Sequence, residues 1–330
     1  MTSSRKGRLA PLTGAFATDI TTLPVTGPHQ LCYYNDGFDA NEGFINDQVI
    51  CHGAANGRDK TSPAPALKQA SGSLQVPFDV AQLSFFLPML CGPATSEVED
   101  ATPTPSKWTR TFVSGSETQR LAAFSIPVTD DRWKLVHNAY LNSLTFGVGK
   151  QDGYRTMDLG FLVPGVELVS TEPAFSAAGS PVSYTHKKVP GNIGSFLIDG
   201  TVVAQLVTGN FNFSNQAELV GLADGEDRNL GLETGDTQVR ADLTMRVVNG
   251  VAVNDVLDLF KGGSGPSFAG QFSFPLDANA SLVVDLPYCK GERRLPQIAS
   301  AQRQGFSAAI EAFQDSGNPS ATFTLVNQEA

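Results

Sequence analysis

Cysteine is scarce in this chain, four in 330 residues, and Cys32, Cys51, Cys91 and Cys289 stand far apart with no Cys-x-x-Cys pair. That spacing excludes a zinc ribbon and a disulfide-stapled scaffold, and predicts free, mostly buried thiols. Histidine is equally rare: His29, His137 and His186 stand alone, and His52 beside Cys51 cannot share a metal with its neighbour. Only 17% of residues are charged while 41% are hydrophobic, the reverse of a disordered chain. No apolar run approaches the roughly 20 residues of a membrane-spanning helix, and neither a heptad nor a glycine period runs through the chain. Basic residues number 23 against 33 acidic ones, giving a net charge of −10. Gripping nucleic acid requires a clustered basic surface, and the one basic cluster, Arg5, Lys6 and Arg8, reads as a solvated terminus. The N-terminal residues lack the apolar core of a secretory signal.

Catalytic signatures are missing as well. No Gly-x-Ser-x-Gly elbow, phosphate loop or dinucleotide fingerprint occurs. The acidic tracts Glu97 to Asp100 and Asp224 to Asp227 are too short for a calcium loop. The expectation is no catalytic residue, no cofactor and no metal, hence no enzyme.

What the chain does have is 21 phenylalanines set among Thr, Ser, Gly and Val, a composition of strands and turns. Alternation supports this: in 241–248, Leu243, Met245 and Val247 point one way while Asp242, Thr244 and Arg246 point the other, as in a sheet with one wet face. Residues 144–148 and 209–215 alternate likewise. A weak internal repeat is present. Strand 72–78 leads into a helix over 79–90 that stops at Gly92; strand 241–248 leads into a helix over 254–260 that stops at Gly262. Asp79 and Asn254 are the expected N-caps. Aromatic strands 108–113 and 271–276 follow, then strands 122–127 and 281–287 that close on proline, then 156–163 and 321–327. Two long irregular stretches, 41–69 and 221–238, precede the two helices, and loops of that length are usually functional. The division predicted is a first module over 1–173, a linker over 174–192 and a second module over 193–330.

The order GSLQVPFDVAQLSFFLPMLCG (72–92), KWTRTFV (107–113), AAFSIPV (122–128), AYLNSLTFGVGKQDGYRTMDLGFLVPGVELV (139–169), ASLVVDLPYC (280–289) and ATFTLVN (321–327) resembles the tail tube proteins of long-tailed, non-contractile bacteriophages. The resemblance implies a mainly β fold, two tandem sandwich or barrel modules, each with a short flanking helix. It implies a structural virion protein: the major tail tube subunit, in rings that stack into a hollow conduit for DNA delivery. Other ring components (terminator, neck or distal tail ring) share the fold; a carbohydrate-binding β-sandwich fits less well. The partners implied are further copies of the chain, as a homotrimeric pseudo-hexameric ring or a hexamer, together with tape measure, terminator and distal tail proteins. Double-stranded DNA would pass without specific binding, and no membrane span is expected. The chain would be made in the host cytoplasm and reside in the virion tail. Gly57, Asp59, Asp224, Glu226, Asp227 and Arg228, in the two long loops, are the candidates for ring-to-ring contact.

Overall fold

The computed structural model describes residues 12–41, 44–45, 64–65, 69–202, 205–221, 231–246, 260–261, 265–293 and 305–328. In the first half the principal strands are β1 (Leu12–Ala17), β2 (Asn35–Asp36), β3 (Asp39–Asn41), β4 (Gln69–Pro77), β5 (Ser96–Asp100), β6 (Lys107–Val113), β7 (Leu121–Thr129), β8 (Arg132–Gly147), β9 (Thr156–Leu162) and β10 (Val166–Val169), with helix α1 (Leu83–Cys91) after β4. In the second half they are β11 (Ser195–Ile198), β12 (Gln205–Ser214), β13 (Gln238–Arg246), β14 (Phe268–Asp277), β15 (Ala280–Arg293), β16 (Gly305–Ala312) and β17 (Thr322–Gln328).

The halves pair their strands in the same order, all antiparallel. In the first, β1 joins β7, then β8, β9, β4 and β2–β3. In the second, β11 joins β14, then β15, β16, β13 and β12. The long strand β8 passes from one sheet into another, and β8 and β15 each take an extra partner near their start, β10 and β17 respectively. Two seams join the halves, β8 to β12 and β17 to β6.

The alternation read from the sequence is real at the end of β8, at β12 and at β13, whose inward residues are buried and outward ones half-buried or exposed. One buried cluster runs through both halves. The phenylalanines fill it: Phe78, Phe146, Phe211 and Phe272 form a chain of ring contacts with centroids 4.9–5.7 Å apart, and all are 2% exposed or less. Each such side chain contributes about 1.5–3 kcal/mol by leaving water.

Two expectations need correcting. Asp79 does not cap α1, which starts at Leu83 after Gln82; its carboxylate accepts from the Ala81 amide in the turn leading in. Nor do Pro127 and Pro287 close their strands: β7 and β15 run past both. Each proline sits beside a register shift, where a missing N–H leaves no ladder bond unmade. The stop at Gly92 holds, with φ +81° and its amide bonded to the Pro88 carbonyl. The second helix expected over 254–260 lies outside the described residues except for Phe260.

Residues 174–192, read as a linker, carry one helical turn, Ala174–Ala177, with Phe175 buried. Further on, Val189 is fully buried and exchanges backbone hydrogen bonds with Phe78 and Arg155.

Candidate functional site: a polar sheet face between two chain edges

Seen across its strands, the central sheet runs β2–β3, β4, β9, β8, β12, β13, β16 and the last residues of β15. One face is the phenylalanine-rich core. The register puts Gln75, Asp158, Thr145, Asn212, Arg240, Glu311 and Lys290 in a single row across the other face. Asn210, Asp242, Ala309 and Glu292 make the next row.

This face is wet and polar. Asn210, Asn212, Arg240, Asp242 and Glu292 are exposed. Four carboxylates (Asp158, Asp242, Glu292, Glu311) stand against two cations (Arg240, Lys290) among the described residues of the two rows. Gln75 donates to Asp158 at 2.9 Å and Arg240 donates to Asp242 at 3.0 Å, which raises the Arg240 guanidinium further and neutralises it locally. Of the polar trio read in 241–248, Asp242 and Thr244 belong here; the Arg246 side chain is outside the described residues.

Sequence reasoning missed the residue that braces this face from behind. Arg155 is 1% exposed, and its partners are main-chain carbonyls: Gly147 at 2.7 Å, Gly191 at 3.0 Å and Ile193 at 2.9 Å. Its guanidinium carbon lies 5.6 Å from the Phe274 ring centroid. One side chain thereby ties the end of β8 to 191–193 and to β14. Burial lowers its pKa from the usual arginine range, yet arginine stays charged. No spacing rule would have found it, since its acceptors are backbone atoms.

The six loop residues Gly57, Asp59, Asp224, Glu226, Asp227 and Arg228 lie outside the described residues. Among the described residues, no group of three or more His, Cys, Asp and Glu is placed to hold a metal ion, and no helix is long and apolar enough to cross a membrane.

A family model described as phage tail tube protein matches residues 9–325. The chain belongs to the phage tail tube family. No curated protein matches it. As a tail tube protein it is a structural component of the virion tail, one that assembles with its own copies into a tube and meets other tail proteins.

Proposed function

We propose that this chain is the repeating subunit of the tail tube, each chain supplying two tandem modules and three chains closing a pseudo-hexameric ring through which viral DNA passes. The observation that carries the reading is the β8–β12 seam. There, a four-stranded group from the first half (β2–β3, β4, β9, β8) continues edge to edge into a four-stranded group from the second (β12, β13, β16, β15). If the halves are equivalent, the same join between chains closes the ring: the last residues of β15 would receive the β2–β3 edge of the next copy. In the single chain Lys261 makes one bridge to Glu292 at that edge, which the incoming strand would displace.

Size favours several copies. About eight strands closed alone enclose only their side chains, and about 16–18 leave an aqueous channel; three eight-stranded arcs exceed both. Closure also removes the exposed edges that would otherwise template aggregation. Long polar loops 41–69 and 221–238 would then reach between rings.

Concentrated protein should form hollow rings and tubes by negative-stain microscopy. A double variant Asn35→Cys, Lys290→Cys, which joins the two ends of the polar row, should yield covalent trimers on oxidation, while deletion of 224–229 should leave rings that do not stack. A strictly monomeric particle with tail partners supplied would sink the reading.

The polar face bears on transport. Duplex DNA carries one charge per about 1.7 Å, so a bore with more carboxylates than cations holds it weakly. Reversing Asp242 and Glu292 to lysine should slow DNA ejection, most at low salt, and leave tubes intact. Ejection rates that ignore both substitution and salt would place this face elsewhere.

A further inference from the structure

The fold brings together three residues that the sequence keeps 47 and 107 positions apart: Cys32, Asp79 and His186. Asp79 is fully buried. Its Oδ1 accepts from the amides of Ala81 at 2.9 Å and Lys187 at 3.0 Å, which fixes the carboxylate. Its Oδ2 lies 2.7 Å from His186 Nδ1. An ionised carboxylate there requires the proton on Nδ1, so the lone pair of Nε2 is exposed on the other side of the ring. Cys32 Sγ lies 3.2 Å from that Nε2, and the Cys32 amide is anchored by Gln82 Oε1 at 2.8 Å. Cys32 is partly exposed and the imidazole is 36% exposed, so a small molecule can reach the sulfur. Cys91 and Cys289, by contrast, are buried.

A nucleophile, a base within hydrogen-bond reach and a third group orienting the base is the arrangement that activates a thiol. We propose that Cys32 is a base-assisted nucleophilic thiol, a site of covalent modification by small anionic disulfides, with His186 as the base and Asp79 as its positioning residue. In the step, the Cys32 S–H proton passes to His186 Nε2, the thiolate attacks one sulfur of the disulfide, and the S–S bond breaks. The departing thiolate takes the proton from the imidazolium. Cys32 ends in a mixed disulfide and one thiol is released, so electrons balance without another reagent. A disulfide suits the site because its leaving group holds charge on sulfur and needs no oxyanion donors. The anionic class follows from Lys188, a cation that a backbone bridge to Asp79 holds beside the site.

Burial pushes the Cys32 thiol above its ordinary range, with Lys188 opposing; a standing thiolate is therefore not the resting state, and the base matters. The charged and titratable groups at the ring are Asp79 and Cys32, with Lys187 and Lys188 next along the chain. Lys187 is engaged with Asp277 at 2.8 Å, and the nearby Tyr184 is bonded to His29 at 2.8 Å.

The test uses dithiobis(nitrobenzoate), an anionic aromatic disulfide, on the full chain, with mass-spectrometric mapping of each cysteine. An ordinary thiol loses reactivity about tenfold per pH unit below its pKa. The exposed thiol introduced by Val98→Cys should therefore slow about 100-fold from pH 8 to pH 6, and Cys32 in the same chain by about tenfold or less. His186→Gln should return Cys32 to the steep dependence, with a loss of about tenfold or more at pH 6. A steep profile for Cys32 in the unsubstituted site, no labelling of Cys32, or a shallow profile that survives His186→Gln overturns the proposal. Should His186→Gln fail to fold by thermal melting, the two profiles within the Val98→Cys chain decide it alone.

Discussion

Replacing Arg155 with methionine is expected to lower the unfolding free energy by about 3 kcal/mol or more, seen as a lower urea midpoint with an unchanged slope. The volume is nearly kept, so the loss isolates the hydrogen bonds. Methionine leaves the half-buried carbonyls of Gly147 and Ile193 without this donor and the Gly191 carbonyl with the Gln151 amide alone, and each acceptor so orphaned costs about 1–3 kcal/mol. Working the other way, removing a buried charge relieves its desolvation. Three carbonyl dipoles aimed at one guanidinium outweigh that relief, and destabilisation wins. Arg155→Lys should fall between, because one ammonium cannot present the planar fork that reaches three separate carbonyls. An unchanged midpoint for Arg155→Met would mean the guanidinium is not the brace described.

Phe211→Ala is expected to cost about 3–5 kcal/mol, the range for emptying a large core site that cannot collapse. Phe211 is fully buried and touches both halves: its ring lies 4.9 Å from Phe146 of β8, its register partner across the seam, 5.7 Å from Phe272 and 6.3 Å from Phe323. The cavity would open at the join between β8 and β12. Unfolding should be followed by two probes, since separation of the halves would show as two transitions where the unsubstituted chain has one. Val98→Ala, at an exposed position on the edge strand β5, should change stability by no more than about 0.5 kcal/mol. A loss under about 1 kcal/mol for Phe211→Ala would show that the seam is not packed through this ring.

How far the strands are readable depends on how many faces they bury. The polar and apolar residues of β12 and β13 alternate because each has one wet face; expected over 209–215 and 241–248, these strands run Gln205–Ser214 and Gln238–Arg246. Strand β8 shows its alternation only at 144–148, yet it runs Arg132–Gly147. Residues 138–141 are four buried positions in a row, where the strand crosses from one sheet into the other with both faces covered. Period-two reasoning is blind to such a stretch. The prolines mislead for a related reason: a residue that breaks a regular ladder is tolerated at a bulge, and the bulge depends on the partner strand.

Three sites are invisible in the sequence for want of any local signature. Arg155 acts on backbone carbonyls, the polar row from Gln75 to Lys290 is drawn from seven strands, and Cys32, Asp79 and His186 meet across 154 residues of chain. Composition and alternation by themselves determined that this chain builds antiparallel sheets around phenylalanine, that its basic residues form no cluster beyond the N-terminal one, and that no catalytic or metal-binding motif runs along it. Only the tertiary structure decided which polar face runs continuously across both halves, which strands join them, and which lone charge is buried. Periodicity is a property of neighbours along the chain, whereas edge pairing and the satisfaction of a buried charge are relations between residues that the chain brings together only when it folds.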